Sequence, residues 1–172
     1  FYEFMPNGFV NVEPIIMKPE SYSRLENNLM MFYLGGTHSA SAILKEQSKN
    51  VQVVDKATVQ KKMCDIARSL KNELQNNNVD AMGELLHENW MLKRSLASGI
   101  SNPLIDETYE LAVKAGAAGG KLLGAGGAGF MLFYVPEEKH DTVRKALSHL
   151  REMEFEMDNS GASIVMTDRD FI

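Results

Sequence analysis

Cysteine is nearly absent. Cys64 stands alone in 172 residues, which excludes an internal disulfide and any multi-cysteine zinc site. A lone cysteine fits a reducing compartment, so a cytoplasmic protein is expected. Long apolar runs are also missing: no stretch approaches the ~20 residues that span a bilayer, and no membrane partner is expected. The opening Phe1-Tyr2-Glu3-Phe4-Met5 has neither the basic nor the long apolar region of a secretory signal. There is no excess of positive charge. Lys and Arg number 18 against 23 Asp and Glu, a net −5, which speaks against a general nucleic-acid binder with its basic footprint. A phosphate is not excluded, because a few backbone N–H groups can hold one on an acidic chain. What is present is a globular balance, 44% hydrophobic and 24% charged, on a chain long enough to bury one core without staples.

The pattern along the chain reads as strands and helices in mixed order. Two strand-like runs flank Pro6-Asn7-Gly8, a hairpin signal, since Asn and Gly both tolerate positive φ. Ser21 to Asn28 reads as a short helix. Leu29 to Leu34 is a short apolar run stopped by Gly35-Gly36, which favours a buried strand. Helices are expected over Ala40 to Lys49, along the Val59-Met63-Ile66-Ala67-Leu70-Leu74 stripe, and after Asp80 as N-cap. Asn102-Pro103 restarts a helix, with Asn as cap and Pro where its missing N–H costs nothing. Phe130 to Val135 is a strand, Pro136 opens another helix, and Phe155 to Met157 and Ser163 to Met166 are expected closing strands. Tight turns and irregular alternation favour antiparallel pairing and an α+β sandwich with helices on one sheet face.

One segment stands out. Seven of the 13 glycines fall between Gly116 and Gly129. Glycine costs conformational entropy on ordering, so the cluster needs a reason: close approach of the backbone to a ligand phosphate, or close packing of one backbone on another. The segment is no Walker loop, because no Gly-Lys-Ser/Thr ends it. It is no dinucleotide fingerprint either, because it leads from helix to strand. Elsewhere, His87-Glu88 lacks the second His of a zinc protease motif at Met91, and the chain has no Gly-x-Ser-x-Gly elbow. Cys64 reads as a packing thiol and Trp90 as core. Lys93-Arg94 reads as a solvated helix end, with an anionic-ligand site as the alternative.

Lys121-Leu122-Leu123-Gly124-Ala125-Gly126-Gly127-Ala128-Gly129-Phe130, followed by an apolar strand, resembles the third signature motif of the GHMP small-molecule kinases. Gly83 to Asp106 and Phe32 to Ser41 resemble the D-glycero-D-manno-heptose 7-phosphate kinase branch of that superfamily. The resemblance implies a ferredoxin-like antiparallel sheet covered by helices, preceded here by an N-terminal β-hairpin. Residues 1–20 are then hairpin and linker of the preceding domain region, and residues 21–172 the C-terminal domain of a kinase that uses ATP and Mg²⁺. The family's phosphate loop, magnesium-binding serine and catalytic aspartate lie in its N-terminal domain. No catalytic residue and no metal ligand is therefore expected here, and this chain alone is expected to be inactive.

The resemblance places Gly124, Ala125, Gly126, Gly127, Ala128 and Gly129 beside nucleotide and substrate, and makes Thr37, His38, Ser39, Lys93 and Lys121 substrate-binding candidates. Two departures stand out: the family often carries a basic residue where His38 stands, and Ala128 breaks the motif's run of glycines. Valine at Gly126 or Gly127 is expected to lower kcat far more than stability. The expected partners are a sugar phosphate, ATP and the N-terminal kinase domain, and a face stripped of that domain predicts self-association as a homodimer. The competing readings are a galactose or fucose kinase, a ferredoxin-like small-ligand regulatory module and, last, an RNA-recognition domain.

Overall fold

The computed structural model describes residues 1–36, 40–50, 54–124, 126–158, 161 and 163. Short strands β1 (Tyr2–Phe4) and β2 (Val10–Val12) precede α1 (Pro19–Asn27) and β3 (Leu29–Gly35). Four helices follow: α2 (Ala40–Asn50), α3 (Val54–Gln75), α4 (Ala81–Arg94) and α5 (Pro103–Ala115). The chain then makes β4 (Gly119–Leu122), β5 (Gly129–Tyr134), a 3-10 turn (Glu137–Lys139), α6 (His140–Ala146) and β6 (Arg151–Met153).

The main sheet has the order β4-β5-β3-β6, and every pairing is antiparallel. With β3 taken as the first strand, this is the split order of the ferredoxin-like motif, as expected. Alternation sets the core. Met30 and Phe32 pair with Phe133 and Met131 in register, and this face is buried with Ile105, Tyr109 and Ala112 of α5, Val143 of α6 and Leu147. Trp90 of α4 joins that core with no exposed surface. A smaller cluster gathers Leu25, Leu74, Val79 and Tyr134.

Helix α5 has both of its ends specified by sequence. The Asn102 side chain accepts the Ile105 N–H, Pro103 opens the first turn, and Gly116 ends the helix at φ 119°. The Ala117 N–H then reaches the Ala112 carbonyl at 2.9 Å, which closes a Schellman motif.

Several expectations need correction. β4 lies inside the glycine-rich segment that reads as an interruption; it is a strand because Gly119 and Gly120 let it press against its neighbours. A Cβ on Gly119 would fall 2.0 Å from the Gly83 carbonyl oxygen, and one on Gly120 would fall 2.5 Å from that of Leu132. The closing strand is Arg151–Met153 and not Phe155 to Met157. Past β6 the chain leaves the sheet toward α1, where the Met157 N–H donates to Glu26 at 2.6 Å. The run from Ser163 to Met166 lies outside the described residues except for Ser163, which is not in a strand.

Asp80 precedes α4, but its side chain makes no cap bond; it accepts from the Tyr134 hydroxyl at 2.6 Å instead. In the first hairpin only Gly8 has positive φ, at 85°. The turn is the longer form with one left-handed residue, closed by Gly8 N–H to Met5 C=O at 3.0 Å. Cys64 is exposed rather than packed.

The hairpin is tied to α3 by Arg68 to Glu3 at 2.9 Å, by Lys71 to Glu13, and by the Lys71 ammonium 4.8 Å from the Phe1 ring centre. Its apolar side chains Tyr2, Phe4, Phe9, Val10 and Val12 remain exposed.

Candidate functional site

Two chain reversals meet at one end of the sheet. One is the exit of β3 at Gly35-Gly36, with φ of 75° and 78°; the other is the loop from β4 to β5. Gly35 faces Gly129 across an irregularity in the β3–β5 register. A Cβ on Gly36 would lie 3.3 Å from the Ala128 side chain, so the two bends touch. Between them and the start of α5 lies a cavity of about 230 Å³, lined by Leu34, Gly36, Asn102, Leu104, Gly127 and Ala128 among others.

The glycine loop is held at fixed points. The Leu123 N–H donates to Phe130 C=O at 2.8 Å, and the Gly127 N–H donates to Ile100 C=O at 3.0 Å. Asn102 Nδ2 donates to Gly127 C=O at 2.9 Å while Asn102 Oδ1 caps α5. One asparagine therefore fixes both the helix start and the loop. Gly124, Gly126, Gly127 and Gly129 all have positive φ, from 79° to 126°, a region that L side chains rarely occupy. Between the anchors, the N–H groups of Gly124, Gly126 and Ala128 have no partner among the described residues. Free backbone N–H groups of this kind are donors that an anion can use.

The glycines differ in what surrounds them. A Cβ on Gly126 would meet the Ile100 Cα at 2.7 Å, whereas Gly124 and Gly129 have no atom within 4 Å of that position. This corrects the expectation that valine at Gly126 spares stability, since that position is filled by backbone.

The charged groups come from α4, α5 and β4. Lys93, in the last turn of α4, donates from Nζ to Gly124 C=O at 2.7 Å. Gly119 and Lys121 share one side of β4 by alternation, and Gly119 abuts Gly83 and His87 of α4, so Lys121 lies on the α4 side. Burial holds the Lys93 and Lys121 ammonium groups below the usual lysine pKa, and the nearby Lys121 charge depresses Lys93 further. Arg94 pairs with Asp106 at 3.1 Å, and Asp106 also accepts from Ser101 Oγ at 2.6 Å. His87 Nδ1 and the Tyr109 hydroxyl share a hydrogen bond of 2.7 Å. Burial pushes the Tyr109 phenol up to about 12.

Of the residues expected at the site, Lys93, Lys121, Gly124, Gly126, Gly127, Ala128 and Gly129 are brought to this one corner. Thr37, His38, Ser39 and Ala125 lie outside the described residues. Asn102 is the residue the sequence hides: it is legible as a cap, but its second bond crosses 25 positions to the loop. No group of three or more His, Cys, Asp or Glu stands together among the described residues.

Residues 70–154 match the family described as GHMP kinases C terminal. The chain carries a GHMP kinase C-terminal domain. It is 30% identical over 149 residues to the D-glycero-alpha-D-manno-heptose 7-phosphate kinase of Campylobacter jejuni, a match covering 86% of this chain and 43% of that protein. It is 28% identical over 153 residues to the bifunctional fucokinase/GDP-fucose pyrophosphorylase of Arabidopsis thaliana, covering 87% of this chain and 14% of that one. The fold also matches the L. major mevalonate kinase crystallised with R-mevalonate, at TM-score 0.70 and 19% identity over 86% of this chain and 44% of the other. The GHMP domain and its flanks thus span less than half of each of these relatives. No described helix is long and apolar enough to cross a membrane.

Proposed function

We propose that this chain is the C-terminal part of an ATP-dependent sugar-phosphate kinase that phosphorylates the anomeric hydroxyl of a heptose 7-phosphate. In that reaction the anomeric oxygen bonds to the γ-phosphorus of ATP, the bond to the ADP oxygen breaks, and the hydroxyl proton leaves to a base. No residue of this chain is assigned as that base. Phosphoryl transfer depends mainly on positioning and on electrostatic stabilisation of the phosphates, and this chain's part is positioning. Gly124 to Gly129 lie against the phosphates at the domain cleft and offer the N–H groups of Gly124, Gly126 and Ala128, which no described residue takes. Thr37, His38, Ser39, Lys93 and Lys121 contact the acceptor.

Mg²⁺ accompanies ATP and shields its charge. Residues 1–20 belong with the neighbouring domain region, which the exposed apolar hairpin supports; residues 21–172 form the GHMP domain, and the enzyme works in the cytoplasm. The observation that carries the reading is the loop itself, with left-handed glycines, unpaired N–H groups and an apolar strand behind it, in a chain 30% identical to a heptose 7-phosphate kinase.

The test is an ATP-dependent assay of the complete gene product on a panel of heptose 7-phosphate, fucose, galactose and mevalonate. Turnover highest on heptose 7-phosphate supports the reading. A preference for fucose or galactose replaces it with a neutral-sugar kinase, and ATP-dependent turnover by the 172-residue chain alone overturns the assignment of this part as non-catalytic by itself.

A further inference from the structure

Most of the described arginines find carboxylates: Arg24 with Asp80, Arg68 with Glu3 and Asp65, Arg94 with Asp106, and Arg144 with Asp141 and Glu152. The half-buried Lys71 finds Glu13. Lys93 and Lys121 break this pattern. Both are half-buried, yet neither pairs with a carboxylate among the described residues. Lys93 has only the Gly124 carbonyl, and Lys121 has no described acceptor. Lys121 lies on the side of β4 that packs on α4, and Lys93 reaches Gly124 from the last turn of that helix.

Two half-desolvated like charges without a counter-ion are unfavourable in the free protein. An anion between them removes that cost. The surroundings suit one: the unpaired Gly124 N–H is adjacent, and Arg94 is already neutralised by Asp106, so it neither repels a third cation strongly nor competes for the ligand.

We propose that Lys93 and Lys121 form a receptor for a phosphoryl dianion at the Gly124 end of the glycine loop, and that the Lys93 ammonium shares itself between the anion and the Gly124 carbonyl. The lysines act as paired point charges, which accept a tetrahedral phosphate from several directions. In an enzyme that must choose phosphorylated over neutral acceptors, this pair is a specificity determinant. Assigning the anion to a substrate of the kinase rests on the function proposed above; the anion site itself does not.

The experiment is NMR of the lysine side chains in the purified chain, titrated with inorganic phosphate at constant ionic strength. The Lys93 and Lys121 signals are expected to move together and saturate, while those of the exposed Lys61 and Lys62 on α3 stay in place. Lys121→Met is expected to weaken phosphate binding about tenfold, the loss of one charge-assisted contact, and Lys121→Arg to restore it. The Arg variant keeps the test valid if the Met variant folds poorly. Static Lys93 and Lys121 signals, or equal phosphate affinity in a folded Lys121→Met, overturn the proposal. Competition then identifies the source: displacement of phosphate by a sugar phosphate assigns the acceptor, displacement by ATP assigns the nucleotide, and displacement by neither overturns a substrate role. A gene product that phosphorylates no sugar would sink the kinase reading while leaving the lysine titration intact.

Discussion

Two kinds of glycine occupy the same short segment. Gly119, Gly120 and Gly126 are buried, and each has backbone where a Cβ would go, at 2.0, 2.5 and 2.7 Å. Gly124 and Gly129 have positive φ and open space around them. The first kind is needed for packing: it seats β4 on α4 and β5, and seats the loop on Ile100. The second kind turns the chain at positions where no other atom comes within 4 Å of a Cβ. A glycine-rich motif is thus not uniformly a ligand loop, and only its exposed positions are free to serve one.

The sharpest way to break this comparison is to add a methyl group to each kind. Gly119→Ala and Gly120→Ala should lower the unfolding free energy by about 3 kcal/mol or more, because rigid backbone must move to admit the Cβ; urea unfolding measures this. Gly126→Ala should follow closely. Gly124→Ala should cost only about 1–2 kcal/mol for the left-handed conformation, yet in the complete enzyme it should lower kcat/KM more than that loss explains. Equal stability losses at Gly124 and Gly126 would erase the distinction. Asn102→Ala should cost about 1–2 kcal/mol, since it removes a helix cap and leaves the Gly127 carbonyl without its donor.

A smaller effect concerns the second core cluster. Burial and the Asp80 carboxylate push the Tyr134 phenol up to about 12, and burial does the same for Tyr109. An unfolded tyrosine titrates near about 10, so the folded state holds these protons longer. Stability should be complete below about pH 10 and fall as the pH rises toward about 12. Tyr134→Phe should cost about 1 kcal/mol at neutral pH, by removing the hydroxyl that accepts from Asn28 Nδ2 at 2.8 Å and donates to Asp80 at 2.6 Å, and should shallow the alkaline decline in urea titrations. Smallest of all, Cys64→Ser on the exposed face of α3 should change stability by less than about 0.5 kcal/mol.

Features with local causes were legible in the sequence. The apolar runs of β3 and β5, the Asn102-Pro103 start of α5 and its Gly116 end carry their reasons within a few residues. β4 was not legible, because two glycines give a strand no propensity signal and its reason lies in Gly83 and Leu132. β6 was not legible either: a three-residue edge strand is selected by pairing with Met31 to Tyr33, not by its own composition. At the site, the loop's glycines and the two lysines could be singled out from sequence. The bond from Lys93 to Gly124 and the double duty of Asn102 could not, because they join positions 31 and 25 residues apart.

The central claim is that the exposed half of the glycine loop faces phosphate in the complete enzyme. A crystal structure of the complete gene product with a non-hydrolysable ATP analogue and a sugar phosphate tests it directly. Hydrogen bonds from loop N–H groups, Gly124 among them, to phosphate oxygens are expected. A loop turned to bulk solvent, with both ligands bound elsewhere, would contradict it.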